Sequence, residues 1–172
     1  MRIKIRPAEE SDISALRDLC ISTFCAAYEK FNTAANMSQY LSEHFSEEKL
    51  KEELQDEDAL YFVATDEYSI VGYVKIGLDP SKENINAKRP IEILRLYADV
   101  NYIGQGVGKA LMEKVNSFAM ENKADAIILG VWQKNHSAIE FYSKGGFEII
   151  TSVKFLFGTD LQDDWLMMKS IK

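Results

Sequence analysis

The chain opens on alternation: Ile3 and Ile5 stand between charged neighbours, and Pro7 lacks the donor that a ladder needs, so a short first strand is expected to end there. Over residues 9–29 the period changes. Ile13, Leu16, Leu19, Cys20, Ile21 and Phe24 recur at helical spacing and lay an apolar stripe along one side. A second helical stretch is expected over 37–55, with Ser46 ahead of Glu47 and Glu48 as a cap inside it. Two β-rich apolar runs follow, 60–64 and 70–76, across a turn at 66–69. Residues 79–89 are polar, hold a proline and read as a loop. A fourth strand over 91–100, a glycine loop and a helix over 105–121 come next. The run 125–132 is almost wholly apolar, as a strand covered on both faces should be. A short helix over 135–144 ends at Gly145-Gly146, a pair suited to a left-handed C-terminal turn. Strands over 147–157 and 165–169 close the chain. This order predicts one α/β domain over 1–172: a mixed, mostly antiparallel sheet of about seven strands with helices on both faces.

Composition adds limits rather than detail. The 172 residues are 47% hydrophobic and 27% charged, which suits one domain with a sizeable core. A net charge of −7 argues against nucleic acid as a partner and is compatible with a cationic substrate. Cys20 and Cys25, five apart on a helix, point to different sides, so no disulfide is expected and the thiols fit a reducing cytoplasm. His44 and His136 have no zinc spacing, and no metal is expected. The N-terminal residues carry no apolar run fit for a signal peptide, and 126–132 is too short to span a bilayer, so no membrane association is expected.

The candidate chemistry lies in Ile103-Gly104-Gln105-Gly106-Val107-Gly108-Lys109. Glycines at alternate positions let the backbone approach an anion, and the helix that follows offers unpaired N–H groups and a positive dipole end. Two familiar phosphate loops fail on spacing. The dinucleotide fingerprint needs a small residue where Lys109 stands. The triphosphate loop needs Ser or Thr at Ala110 and a glycine at Ile103. A purely structural strand-to-helix turn is the alternative reading.

The run resembles the acetyl-CoA motif of the GNAT-type N-acetyltransferases, [RQ]-x-x-G-x-[GA], with Ile103 where the family favours Arg or Gln. A second segment, Asn135-His136-Ser137-Ala138-Ile139-Glu140-Phe141-Tyr142-Ser143-Lys144-Gly145-Gly146-Phe147, resembles that family's N-x-x-A-x-x-F-Y-x-K-x-G-F pattern. Together they cover about 92–147. Within the family the chain looks closer to the PaiA-type spermidine/spermine N-acetyltransferases, in Gly72-Tyr73-Val74-Lys75 and in the run from Leu129 to Asn135.

The resemblance implies direct acetyl transfer from acetyl-CoA to a primary amine, with a polyamine favoured, and is compatible with a homodimer. An antibiotic, an amino acid or a protein N-terminus is the alternative acceptor, and a non-catalytic CoA-binding module the alternative class. By resemblance, backbone groups of Leu96, Tyr97 and Ala98 pair with the pantetheine arm, and Gln105, Gly106, Val107, Gly108 and Lys109 hold the pyrophosphate. Tyr142 corresponds to the acid that protonates the leaving thiolate; packing on the sheet is its plainer role. Asn135 contacts pantetheine or caps its helix, and Lys144 meets a CoA phosphate or lies exposed. Glu92 matches a position where family members carry a base; a solvent-facing strand glutamate is the alternative. Glu43, Glu47, Glu48, Glu52 and Glu53 are expected along the acceptor side, with a solvated helical face as the alternative.

Overall fold

The computed structural model describes residues 3–78, 80 and 85–171. Its elements are β1 (Lys4–Pro7), α1 (Ile13–Tyr28), α2 (Ala34–His44), α3 (Glu47–Gln55), β2 (Ala59–Thr65), β3 (Ile70–Leu78) and β4 (Pro90–Ala98), then α4 (Val107–Glu121), β5 (Ala126–Trp132), α5 (His136–Lys144), β6 (Glu148–Phe157) and β7 (Asp160–Ser170). The seven strands form one sheet in the order β1-β2-β3-β4-β5-β7-β6. Every neighbouring pair is antiparallel except β4–β5. Most of the loop expected at 79–89 lies outside the described residues.

Strand alternation divides the core in two. Ile91 and Ile93 of β4 and Ile127 and Leu129 of β5 face α4 and α5, packing with Leu111, Val115, Tyr142 and Phe147. On the other face Tyr61, Val63 and Tyr73 pack with Leu16, Phe24, Met37, Phe45 and Leu50 of the three N-terminal helices and their connections. Leu16 and Leu111 are fully buried, and truncating either to Ala should cost about 2–5 kcal/mol. Gly72 of β3 brings α4 close to the sheet: a Cβ there would lie 2.6 Å from Val107 Cγ1 and 3.2 Å from Leu111 Cδ1.

Several expected boundaries move, and three of the shifts have a clear local reason. The stretch 37–55 is two helices, because Ser46 is extended and its Oγ accepts from Lys49 N–H at 3.1 Å, starting a new helix. The break turns Phe45 into the core against Phe24 and Tyr40. β4 stops at Ala98, since the Asp99 carboxylate accepts from Asn101 N–H at 2.8 Å and folds Val100–Tyr102 into a 3-10 turn. β7 begins at Asp160, five residues before the expected Trp165, through a tight hairpin after Gly158. Of the Gly145-Gly146 pair, Gly146 alone is left-handed, at φ 90°.

A buried charged cluster fixes α3 to the sheet. Glu53 pairs with Lys75 at 2.8 Å and Arg95 at 2.9 Å, and accepts a hydrogen bond from the Tyr61 hydroxyl. The Arg95 guanidinium also stacks over the Phe45 ring, 4.8 Å from its centre. Burial pushes the Glu53 carboxyl up. Arg95, with the hydrogen bonds from Lys75 and Tyr61, more than offsets that and holds it below its ordinary value.

Candidate active site

The parallel β4–β5 ladder is only four rungs long, from Pro90↔Ala126 to Ile93↔Leu129. Beyond it the strands separate, while β4 stays paired with β3 as far as Ala98. One edge of β4 is therefore left without a strand partner. Asp99 N–H donates to Val71 O at 2.9 Å, so alternation turns the backbone groups of Tyr97 toward β3 and those of Leu96 and Ala98 toward the open edge. Of the three residues expected to hold the ligand, Leu96 and Ala98 have backbone groups on the open edge. Tyr97 contributes its side chain instead, whose hydroxyl donates to that of Tyr28 on α1 at 3.3 Å.

The glycine loop closes the wide end of the wedge. Gly104 and Gly106 have φ of 79° and 89°, and Gly106 caps α4 from the left-handed region. The first helical bond runs from Ala110 N–H to Gly106 O at 2.9 Å, so the N–H groups of Val107, Gly108 and Lys109 precede the ladder. A Cβ at Gly108 would touch the Phe141 ring at an ordinary contact distance of 3.5 Å. A cavity of about 810 Å³ runs from this loop along β4 to α1 and α5. A long, flexible, phosphate-bearing ligand fits these features: free strand edge, anion-accepting helix start and elongated cavity.

The sequence-derived residues distribute unevenly. Leu96, Tyr97, Ala98, Gly106, Gly108, Lys109, Asn135 and Tyr142 all line the large cavity. Gln105 does not; its side-chain amide donates to Asn101 O at 2.7 Å and braces the loop. Val107 is buried in the core, and its backbone alone faces the helix start. Lys144 lies outside, paired with Glu140 at 2.7 Å. Asn135 caps α5 by accepting from Ala138 N–H at 3.2 Å while its side chain stays at the cavity wall. Tyr142 is 8% exposed, held between the rings of Phe141 and Phe147. Burial, then the nearby Tyr28 hydroxyl, pushes its own hydroxyl well above the ordinary phenol range, so the proton stays on at neutral pH.

A second cavity, of about 360 Å³, is bordered by Phe24, Tyr40 and Phe45 and shares Tyr97 and Trp132 with the first as lining residues. Glu92 and Asp164 both line it, with Arg95, Lys154, Tyr28 and Tyr40. Glu92 is 8% exposed, so it is not the solvent-facing glutamate of the alternative reading. The helical acids are elsewhere. Glu53 is consumed by the buried cluster, and Glu43 borders a separate small cavity. Glu47, Glu48 and Glu52 are exposed on α3, away from both large cavities. Sequence reasoning passes over Tyr28 and Asp164. An aspartate inside a strand is unusual and could have signalled the second, but the expected β7 begins one residue after it.

A split parallel pair, an anion-accepting helix start and a buried protonated phenol fit an acyltransferase that draws on a CoA thioester. The chain belongs to the acetyltransferase (GNAT) family, whose model matches residues 24–147, and it is an acetyl-CoA-dependent N-acetyltransferase. It is 26% identical over 169 residues to an uncharacterised N-acetyltransferase from the pepI 3' region of Lactobacillus delbrueckii subsp. lactis, covering 98% of each chain. The spermine/spermidine N(1)-acetyltransferase of Bacillus subtilis is 28% identical over 90 residues, 52% of this chain and 59% of that one. Among solved structures, the PaiA N-acetyltransferase of Thermoplasma acidophilum in complex with coenzyme A superposes with a TM-score of 0.80 at 23% identity, covering 99% of this chain and 100% of that one.

Proposed function

We propose that the protein acetylates a primary amine, a polyamine such as spermidine or spermine in particular, by direct transfer. The observation that carries this reading is that Tyr97 and Trp132 line both cavities, one reaching from the glycine loop and the other lined by two carboxylates. Acetyl-CoA supplies the acyl group as a thioester. The open-edge backbone groups of Leu96 and Ala98 hold the pantetheine arm, with Tyr97 and Asn135 beside it. One of those N–H groups also faces the oxyanion that develops on the acyl oxygen. The N–H groups of Gly106, Val107, Gly108 and Lys109 hold the pyrophosphate, and Gln105 braces that loop.

The acceptor arrives as an ammonium and must lose a proton before its nitrogen can attack. Glu92 takes that proton, directly or through water. As the C–N bond forms and the C–S bond breaks, Tyr142 donates its proton to the sulfur. The nitrogen releases its second proton through water, which restores the phenol. The polyamine preference is supported by the −7 charge, by the carboxylates of the second cavity and by the name of the Bacillus subtilis relative. The unpaired thiols of Cys20 and Cys25 support a cytoplasmic setting.

Steady-state kinetics with spermidine, putrescine, lysine, an aminoglycoside and a peptide with a free N-terminus test this reading. The expected result is a KM that falls with the number of amines and rises with salt. Turnover of lysine or the peptide without spermidine would overturn the polyamine assignment. Acetyl-CoA binding with transfer to none of them would mark a binding module without catalysis.

A further inference from the structure

We infer that Asp164 on β7 seats the cationic nitrogen of the acceptor, against aromatic walls supplied by Trp132 and Tyr28. The inference rests on the acetyltransferase reading above and names the residue that selects the substrate's charge.

Both cations of the second cavity already have carboxylate partners. Arg95 is spent on Glu53, and Lys154 on Asp163 at 2.6 Å. Asp164 differs: among the described residues no hydrogen bond or ion pair reaches its carboxylate, although it is half-buried in the cavity wall. A carboxylate withdrawn from water without a partner is costly, and a cation from solution is the natural compensation. β5 makes room for one. Trp132 is the strand partner of Asp164, and Gly130, on the same face, has no side chain over it. A Cβ at Gly130 would lie 3.7 Å from Asp164 Oδ2, so any larger side chain would fill the approach to the carboxylate.

The walls suit an alkylammonium. Tyr28 packs against the Trp132 ring with centroids 6.2 Å apart, and Phe31 closes on the same ring at 5.0 Å. Lys134 Nζ already lies 5.7 Å from the centre of the Trp132 ring, and the ring faces beside the carboxylate cover a substrate's methylenes. Glu92 lines the same cavity, so two negative groups serve one acceptor: Glu92 for proton removal, Asp164 for holding charge.

The carboxylate's titration is consistent with this geometry. Burial, and then Asp163, push Asp164 up to about 6. The other ionisable groups of the cavity are Tyr28, Tyr40, Glu92, Arg95, Tyr97 and Lys154. Below about pH 6 Asp164 is neutral and the seat is lost, so the amine KM should rise as pH falls through that value. Because the folded carboxyl titrates above its unfolded value, this group costs stability at neutral pH, and the cost shrinks as the pH falls from about 6 to the unfolded value of 3.8.

Calorimetric titration of spermidine into the CoA-loaded protein tests the inference, comparing wild type with Asp164→Asn, Asp164→Glu and Gly130→Val. Asp164→Asn should weaken spermidine binding at least 10-fold and raise its KM similarly, with the acetyl-CoA KM unchanged. Its thermal midpoint at pH 7.5 should rise, because an uncompensated charge is gone. Asp164→Glu should restore part of the binding, and Gly130→Val should lose it while keeping the carboxylate. Wild-type turnover of spermidine with equal binding by Asp164→Asn would overturn this inference alone. A wild type that neither binds spermidine nor acetylates any amine would overturn it together with the reading on which it rests.

Discussion

Ile93 and Leu129 form the last rung of the parallel β4–β5 ladder, and the two strands part immediately after it. That rung sets where the sheet stops and the wedge begins. Ile93 and Leu129 face α4 and α5, so the core on that side clamps the closed end of the wedge. On the opposite face the next rungs would have carried Gly130 and Trp132, which instead border the second cavity.

The loop at the wide end of the wedge depends on a small residue at Gly108. A methyl there would meet the Phe141 ring at ordinary contact distance, whereas a leucine would displace the ring and cover the first N–H groups of α4. Wild type at a ligand concentration of 100 Kd should gain about 2.7 kcal/mol from acetyl-CoA, read as a rise in thermal midpoint. Gly108→Ala should keep most of that shift and Gly108→Leu should lose it. An unshifted wild type at millimolar acetyl-CoA would contradict the assignment of this loop.

Removing Glu53 leaves Lys75 and Arg95 buried without their shared partner. Glu53→Ala should therefore destabilise the fold by about 3–5 kcal/mol, measured by denaturant unfolding at pH 7. Wild type should also show an acid dependence. The folded Glu53 carboxyl titrates below its unfolded value, so its contribution is present above the unfolded pKa of about 4.3 and lost as pH falls through the lower folded value. Glu53→Gln should flatten that part of the stability profile.

Local spacing alone makes much of this legible. The glycine loop, the α5 segment from Asn135 to Phe147 and the apolar β5 run are contiguous, and each carries its own geometry in a few residues. What escapes a reading of the sequence depends on pairing between distant segments. Glu53 reads as one more acid on a solvated helix until Arg95, 42 residues on, folds against it. The importance of Asp164 depends on the β5–β7 register that sets it beside Gly130 and Trp132. The direction of Tyr97's backbone groups is hidden for a similar reason, since it follows from the pairing with Tyr73 on β3. Ser46 is legible as a cap, but the break it implies needs a core into which Phe45 can turn.

Tyr142→Phe removes one hydroxyl and keeps the ring between Phe141 and Phe147. If that hydroxyl protonates the departing sulfur, kcat should fall by roughly 10²-fold or more, the usual scale of acid–base catalysis. CoA affinity should hardly change. Because burial holds the hydroxyl protonated, no rate loss from its ionisation should appear in wild type as the pH rises through the ordinary phenol range. An unchanged kcat in the variant would assign the proton to water or to another group.

In the proposed reaction the acyl donor and the amine acceptor occupy two cavities that share Tyr97 and Trp132 as walls. A bisubstrate conjugate, with the CoA sulfur joined through an acetyl linker to a spermidine nitrogen, tests it directly by inhibition kinetics. The conjugate should compete with both acetyl-CoA and spermidine, and bind at least roughly 10²-fold tighter than CoA alone because one ligand fills both cavities. Competition with acetyl-CoA alone, at an affinity no better than that of CoA, would overturn the two-cavity arrangement.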